Sequence, residues 1–382
     1  MKDYFVDLHV HIGRDWEGGP VKITGSKTLT LTNIFLEASR RKGLDLIGII
    51  DAQSPAVLDE VEDLIDRGYA EEVSGGGVRS DSTTLLLGSE VEVYDASCQG
   101  PIHVLCYFPT IDTMRRFSLW LSKKMKNVSL SSQRFYGTAR ELQTYVRENG
   151  GLFIPAHIFT PFKSLYGKGV KKSLREILDS DKIDAVELGL SADTEMASQL
   201  AELAPYTYVT NSDAHSLGKL AREYQLVRMD GLSLEELKLA LHRKDGRGIV
   251  ANYGMDPKMG KYHKTVCGKC LYPVTATGCT CRKSRLVKGV SERIKELSDE
   301  GQVTKRPPYV YQVPLETLPG IGKQTYEKLL AAFGSEMAVI HDVPSAELEE
   351  IVSSSIVHYI IQMRKGELDI AAGGGGKFGK IH

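Results

Sequence analysis

Over its first 250 residues the chain switches repeatedly between two hydrophobic patterns, and this alternation restricts the fold more than any other feature of the sequence. Short runs rich in Val, Ile, Leu, Phe and Tyr, at residues 4–10, 45–50, 84–93, 102–108, 151–155, 185–188, 206–210 and 224–229, have the length and composition of β-strands. Between them, residues 31–42, 56–67, 111–121, 139–149, 174–178, 195–203 and 234–243 read as helices. Strands alternating with helices predict an α/β fold built on a parallel sheet or on a barrel. The segments around Gly75-Gly76-Gly77 and 125–134 read as loops.

The polar residues on this map are not scattered. His9 and His11 close the first strand, and residues two apart point to the same side of extended chain. Asp7 lies one step back on that side, where a carboxylate can accept a ring N–H and orient a histidine. Asp51 follows Leu46-Ile47-Gly48-Ile49-Ile50, and Glu90 and Glu92 come late in their strand. His103 opens Val104-Leu105-Cys106, His157 follows Phe153-Ile154-Pro155-Ala156, and Asp213 and His215 follow Tyr208-Val209-Thr210. Strand ends are where a βα barrel gathers its catalytic groups. Packing alone explains such residues poorly, because His, Asp and Glu are costly in a core unless paired or bound to metal. Imidazoles and carboxylates together suit Zn²⁺, Mn²⁺ or iron, and more than four donors predict more than one ion. Glu90 could bridge two ions, and paired cations activate a water and stabilise a leaving oxygen in phosphoester cleavage.

Asp7-Leu8-His9-Val10-His11, the strand ending in Asp51, Gly88-Ser89-Glu90, His103, His157 and Ser212-Asp213-Ala214-His215 resemble, in order, the motifs of the polymerase-and-histidinol-phosphatase (PHP) family. The resemblance covers about the first 250 residues and implies a distorted βα barrel, a trinuclear metal centre and phosphoester hydrolysis. It implies His9, His11, Glu90, His103, His157, Asp213 and His215 as ligands of two or three divalent metals (Zn²⁺, Mn²⁺ or Mg²⁺), with Glu90, Asp213 and His215 in catalytic roles. Many members carry Asp-His after the second strand, whereas this chain has Asp51-Ala52. Asp51 then takes the place of that histidine or the third metal is held differently, with Asp15 and Glu17 as weaker stand-ins.

A second signal lies further on. Cys267-Gly268-Lys269-Cys270 and Cys279-Thr280-Cys281 form CxxC and CxC pairs, the donor set of a tetrahedral structural Zn²⁺ in a small knuckle. Residues 257–295 hold many Lys and Arg and one acidic residue, Glu292, so the knuckle could touch a phosphate backbone through Lys269, Arg282 and Lys283. Leu318-Pro319-Gly320-Ile321-Gly322-Lys323, followed by a helical run, looks like a helix-hairpin-helix, whose turn (Gly320, Gly322, Lys323) can hold a DNA phosphate through backbone N–H groups. The segment from Val343 to about Gly366 resembles a second, degenerate hairpin. Gly374 to Lys380 resembles a P-loop superficially, but Ile381 stands where Ser or Thr is needed. These features divide the chain into a barrel (1–255), a four-cysteine zinc-binding segment with a linking helix (256–300), a helical DNA-binding domain (301–370) and a flexible tail (371–382).

With 382 residues, 42% hydrophobic, 25% charged and a net charge of −1, the composition is that of a globular protein of two or three domains, and the whole-chain balance neither favours nor excludes nucleic acid. No run approaches the roughly 18 apolar residues of a membrane span, and no leader precedes the first strand, so a cytoplasmic protein is expected. Cys98 and Cys106 sit in apolar context and read as buried thiols. The order of parts resembles DNA-repair endonucleases of the PHP family. That resemblance implies incision 5′ of a deaminated base (uracil, hypoxanthine, xanthine) or an abasic site, leaving 3′-hydroxyl and 5′-phosphate ends. A flipped base could meet Phe162 and Tyr166, whereas Phe159 reads as core. The resemblance also raises recruitment by a sliding clamp, although no segment reads as a clamp-binding peptide. Two alternatives stay open: a small-molecule phosphoesterase of the histidinol-phosphatase type, and a non-catalytic DNA-binding scaffold.

Overall fold

A computed structural model of the chain describes residues 1–274, 281, 285–299, 305–371 and 379–381. The barrel region runs β1 (Lys2–Val10), α1 (Leu31–Leu36), β2 (Leu46–Ile49), α2 (Pro55–Asp66), β3 (Glu71–Glu72), β4 (Val78–Ser80), β5 (Thr83–Val93), β6 (Ile102–Phe108), α3 (Ile111–Ser122), β7 (Arg134–Phe135), α4 (Ala139–Glu148), β8 (Leu152–Pro155), β9 (Ala185–Glu187), α5 (Thr194–Ala197), β10 (Thr207–Val209), β11 (Tyr224–Met229), α6 (Leu234–Leu241) and β12 (Gly248–Gly254). All eight strands expected from the hydrophobic pattern are present, their ends within two residues of the expected ones. Helix starts follow side-chain caps: Thr30, Thr110, Thr138 and Ser233 each accept the backbone N–H three residues on. Two expected helices shrink. Residues 174–178 make only the single 3₁₀ turn Leu174–Glu176, and 195–203 split into α5 and Ala201–Leu203 because Leu200 is extended, at φ −100° and ψ 108°. Past Leu36 the first helix widens into a π-helical turn, Glu37–Lys42.

The sheet is mixed, which corrects the expectation of parallel strands. β1, β2 and β5 are parallel neighbours, but β6 runs antiparallel to both β5 and β8. β8 meets β9 through Asp184 N–H to Phe153 O (3.0 Å) and Ile158 N–H to Glu187 O (2.9 Å), and β9 pairs in parallel with β10. The chain after β10 returns to β1, with Ala214 N–H donating to His9 O (3.1 Å) and His11 N–H to Ala214 O (3.2 Å). Seven strands, β1-β2-β5-β6-β8-β9-β10, thus form a hydrogen-bonded ring. The free edge of β1 is shared: Lys2–Val6 pair with β11, and the stretch beyond pairs with the returning loop. β11 continues to β12 and out of the ring.

Alternation along the strands builds two apolar layers. Leu46, Ile50, Leu86, Leu105, Tyr107, Leu152 and Ile154 form one cluster, closed by Leu234, Leu237 and Leu241 of α6. Ile47, Ile49, Leu85, Leu87, Val104, Cys106 and Phe153 face the other way, among side chains of the covering helices. Tyr107 fills the first cluster because Gly48 and Gly88 leave room for its ring: a Cβ on either would lie 2.9 or 2.6 Å from Tyr107 Cε1.

After β12 come β13 (Val266–Cys267) and β14 (Leu286–Val287), an antiparallel pair, then α7 (Val290–Leu297), β15 (Tyr309–Tyr311), α8 (Lys323–Phe333), α9 (Ser345–Ile351) and α10 (Ser354–Lys365). β15 joins the edge of the main sheet in parallel with β12. Leu315, Leu329, Val339, Leu348 and Ile360 share one continuous apolar cluster with the barrel's outer layer. The Pro319-Gly320-Ile321-Gly322 turn is preceded by one 3₁₀ turn, Leu315–Thr317, in place of a full first helix, while α9 and α10 form the second helical pair. No described helix is long and apolar enough to cross a membrane. Most of the P-loop-like stretch and most of the expected tail lie outside the described residues.

Candidate metal centre

The strand ends of the ring bring His9, His11, Glu90, His103, His157, Asp213 and His215 together. Their donor atoms form three groups, His9/His11/Glu90, Glu90/His103/His157 and His11/Asp213/His215, each with atoms within 4.8 Å of one another. Glu90 belongs to two groups and so does His11, which makes the three positions contiguous. Asp213 Oδ1 stands 3.5, 3.4 and 3.3 Å from the Nε2 atoms of His9, His11 and His215. Two donors bonded at about 2.1 Å to one tetrahedral cation would lie about 3.4 Å apart, so this spacing fits a shared ion. The Nε2 atoms of His9, His11 and His103 are buried without a hydrogen-bond partner among the described residues. Orphaned buried imidazole nitrogens are expensive unless something coordinates them.

The other ring nitrogens are spoken for. Glu187 takes His9 Nδ1 at 3.0 Å, and Asp51 takes His11 Nδ1 at 3.1 Å. Such carboxylates fix the tautomer that leaves Nε2 bare. Glu187 is in turn tied by Asn211 Nδ2 (2.7 Å) and by the backbone N–H of His157 (2.8 Å). Sequence reasoning missed Glu187, although a carboxylate ending the strand Ala185–Glu187 follows the same pattern that singled out Glu90 and His157.

Several expectations change in detail. Asp51 belongs to none of the three donor groups; its Oδ2 accepts from His11 and from Ile12 N–H at 2.8 Å, while its Oδ1 is buried without a partner among the described residues. Asp7 orients backbone instead of a histidine ring, accepting N–H bonds from His9 (3.3 Å), Ser212 (3.1 Å) and Ala221 (3.1 Å), because the chain after β10 packs against it. Asp15 closes its own turn by accepting from Glu17 and Gly19 N–H, and Glu17 is exposed, so neither reaches the cluster. Tyr166 is fully buried, stacked on Phe159 with centroids 5.4 Å apart and bonded through its hydroxyl to Glu202 at 2.8 Å. It is a core residue and offers no face to a base. Phe162 is 49% exposed and meets Tyr262 edge-on at 5.4 Å.

Charge at the centre is strongly coupled. Burial opposes ionisation of Glu90, but His103, His157 and Lys22 outweigh it and hold the carboxyl well below the usual range. Asp213 is likewise held low against burial by His9, His11 and His215. Burial works against a charge on His9 too, yet Glu187, Asp213 and Glu90 raise it to about 10. A cluster this rich in carboxylates demands positive charge, and cations can replace the protons. Two candidate ligands sit on left-handed backbone, His157 at φ 31° and Asp213 at φ 46°, a strain that folds tolerate mainly at functional sites. Arg222 clamps the Asp213 loop through Ser212 O (2.6 Å) and Asp213 O (3.2 Å). Lys22, on the loop beyond β1, bonds Ser132 Oγ (2.7 Å) and lies 3.4 Å from Glu90 Oε2.

No family model matches the sequence. The chain is 54% identical over 385 residues, the full length of both proteins, to the uncharacterized protein YqxK of Bacillus subtilis (strain 168). Its structure superposes on the lesion-specific endonuclease PfuEndoQ from Pyrococcus furiosus with a TM-score of 0.85 and 31% identity, covering 100% of this chain and 95% of that one. The chain belongs to the endonuclease Q family. A structure of Endonuclease Q complexed with a 27-mer duplex substrate carrying an abasic lesion at the active site matches equally well, at a TM-score of 0.85 and 31% identity over 100% of this chain and 96% of that one.

This member of the endonuclease Q family holds Cys267, Cys270 and Cys281 with sulfurs within 4.8 Å of one another. Lys269 N–H points to Cys267 Sγ at 3.4 Å, and Cys267 N–H bonds Tyr272 O at 2.9 Å, so a tight turn presents the thiols. Three clustered thiols fit a thiophilic cation such as Zn²⁺. Cys279, Arg282 and Lys283 lie outside the described residues. Between this segment and the barrel runs a groove of about 980 Å³, lined by Phe162, Lys168, Tyr262, Lys269, Arg285 and Lys288 among others. Arg293 of α7 pins the groove's far wall to the barrel through the carbonyls of Tyr166 (2.8 Å), Val170 (3.0 Å) and Lys171 (2.7 Å).

Proposed function

We propose that the chain is a metal-dependent DNA-repair endonuclease that cuts the phosphodiester 5′ of a deaminated base or an abasic site and leaves 3′-hydroxyl and 5′-phosphate ends. The observation that carries the reading is the contiguous set of three donor groups, joined by Glu90 and His11, at the mouth of an endonuclease Q fold. His9, His11 and Glu90 would hold one divalent cation, Glu90, His103 and His157 a second, and His11, Asp213 and His215 a third. Bound there, Zn²⁺, Mn²⁺ or Mg²⁺ would supply a water of lowered pKa and a Lewis-acid surface for the scissile phosphate. Glu187 and Asp51 keep the rings of His9 and His11 aimed inward. Lys22 places a further positive charge beside Glu90, where a phosphate oxygen would approach.

For the substrate, the basic groove with Lys269 in its wall supports a path for a DNA backbone, and exposed Phe162 is positioned to meet an extruded base. The Gly320–Lys323 turn, with Gly320 at φ +84° and open space around Gly322, is a second candidate phosphate contact. In this reading the cysteine cluster carries a structural Zn²⁺ that shapes the groove and takes no part in cleavage.

The test uses end-labelled duplexes with a single uracil, hypoxanthine or abasic site, and an undamaged control. One cut 5′ of the lesion, with a 3′ end that a polymerase extends, is expected. Equal cutting of the control, or a cut on the 3′ side, sinks the reading. Hydrolysis of histidinol phosphate without DNA cleavage favours a small-molecule phosphoesterase, and DNA binding without any cleavage favours a scaffold. Asp213→Ala should lower the cleavage rate by at least about 100-fold while leaving lesion-independent DNA binding in place.

A further inference from the structure

A cavity of about 330 Å³ at the far pole of the barrel carries five cationic side chains: Arg228, Arg243, Arg247, Lys305 and Arg306. Arg228 pairs in register with Asp3 at the start of β1, whereas the metal-type histidines are at its other end. The six steps along the strand from Asp3 to His9 place the cavity about 20 Å from the cluster at about 3.3 Å per residue. The nuclease reaction leaves it without a role.

Two of its cations are neutralised. Arg228 is gripped by Asp3 at 2.8 and 2.9 Å, and Arg247 by Glu236 (2.7 and 2.9 Å) and Asp230 (2.9 Å). The other three have no carboxylate partner among the described residues. Arg243 donates to Pro205 O at 2.7 Å. Arg306 donates to the carbonyls of Tyr206 (2.5 Å), Leu203 (2.9 Å) and Ala204 (3.1 Å) and to the Tyr208 hydroxyl (3.0 Å), with its guanidinium 3.9 Å from the Tyr208 ring centroid. All of these acceptors are neutral. Arg306 Nε and the hydroxyl of Thr194, another lining residue, are buried without a partner among the described residues. Burial lowers the pKa of Arg306, opposed by Tyr208 and reinforced by the neighbouring charge of Arg243, so its guanidinium stays charged at a cost that an anion would relieve. Like charges held together in a half-buried site raise the energy of the empty state, and an anion lowers it. Paired guanidinium forks match phosphate oxygens in particular. At about 30 Å³ per water the cavity has room for roughly ten waters, enough for a diphosphate.

We propose that this cavity is a second anion site that takes a phosphate group, held by Arg243, Lys305 and Arg306. The phosphate could belong to a free diphosphate-type metabolite or to a nucleic-acid backbone reaching the far pole. Calorimetric titration of the metal-loaded, full-length protein with inorganic pyrophosphate, and separately with an undamaged single-stranded oligonucleotide, tests the site. Asp213→Ala disables only one of the three donor groups, so binding at the metal cluster is subtracted by comparing each titration with and without the cavity substitutions. In that background pyrophosphate should still bind saturably, and adding Arg243→Ala with Lys305→Ala should weaken it at least 10-fold. These two residues hold no side-chain ion pair among the described residues, so the double variant spares the carbonyl contacts of Arg306 and should fold. Introduced alone, it should leave the rate of lesion cleavage at saturating DNA unchanged. Loss of oligonucleotide affinity in parallel assigns the phosphate to nucleic acid, and unchanged oligonucleotide affinity assigns it to a free anion. Absence of saturable pyrophosphate binding, or binding indifferent to the double variant, overturns the proposal.

Discussion

His9 and His11 each have one ring nitrogen gripped by a carboxylate and the other left bare and buried. That pairing makes Glu187 and Asp51 positioning residues, and it separates their effect from that of a ligand. Glu187→Gln and Asp51→Asn should each weaken metal affinity by about 10–100-fold, visible as lower metal content after dialysis, with cleavage restored by excess metal. Glu90→Gln, which alters a residue shared by two of the donor groups, should not be rescued in that way. Gly189 is a more indirect handle. It adopts φ +76°, and a Cβ there would lie 2.8 Å from His157 Cβ. Gly189→Ala should therefore displace His157 and lower metal content and cleavage together, with a smaller change in thermal stability than in activity.

Between the barrel and the C-terminal helices the contact is made element on element. His341, at the end of the π-helical turn Ala338–Asp342, enters a cage of Phe5 (4.7 Å), Tyr253 (4.9 Å) and Tyr224, whose hydroxyl shares a hydrogen bond with its Nε2 at 2.6 Å. Burial, then the charge of Arg364, lowers its pKa to about 4. An unfolded histidine titrates near 6.5. Below that pH the unfolded chain takes up a proton that the folded chain refuses. The stability present above pH about 6.5 is therefore lost as pH falls towards 4, by up to about 3 kcal/mol from this residue. Urea midpoints of the wild type should fall between pH 7 and pH 4.5 by more than those of His341→Phe. Equal falls would remove the assignment to His341.

At the scale of the whole molecule, the C-terminal region is part of one core. Lys42, on the π-helical turn after α1, and Glu336, before the helix that carries His341, form a buried ion pair at 2.5 Å. Glu336 also accepts from Leu315 N–H (2.9 Å) and the Tyr326 hydroxyl (2.8 Å). Glu336→Ala leaves a buried ammonium alone and should cost about 3–5 kcal/mol by urea denaturation, while Lys42→Met with Glu336→Leu should recover only part of it, because Leu315 N–H and the Tyr326 hydroxyl still lose their acceptor. For the same reason truncation after residue 255 should not yield a stable barrel. It strips β15 from the β12 edge and bares the apolar surface beneath α8 and α10, so insoluble protein is expected in a soluble-fraction assay.

Much of this was legible in the linear chain. Strand period is local, so eight strands could be placed from short windows, and the metal-type residues stood out because polar groups ended apolar runs. The cysteine spacing was equally local. What the chain order could not encode is who meets whom across the ring. Glu187 reaches His9 from 178 residues away, Asp51 serves His11 as an orienting group because of the β1–β2 register, and Tyr166 turns into the core beside Phe159. The antiparallel course of β6 and the meeting of Arg243 with Arg306 also depend on closure of the sheet. Residue identity and periodicity determined which elements form and which side chains have chemistry to offer. Only tertiary packing decided their partners, because a hydrogen bond or an ion pair depends on distances set by register and ring closure, and these are properties of the assembled sheet.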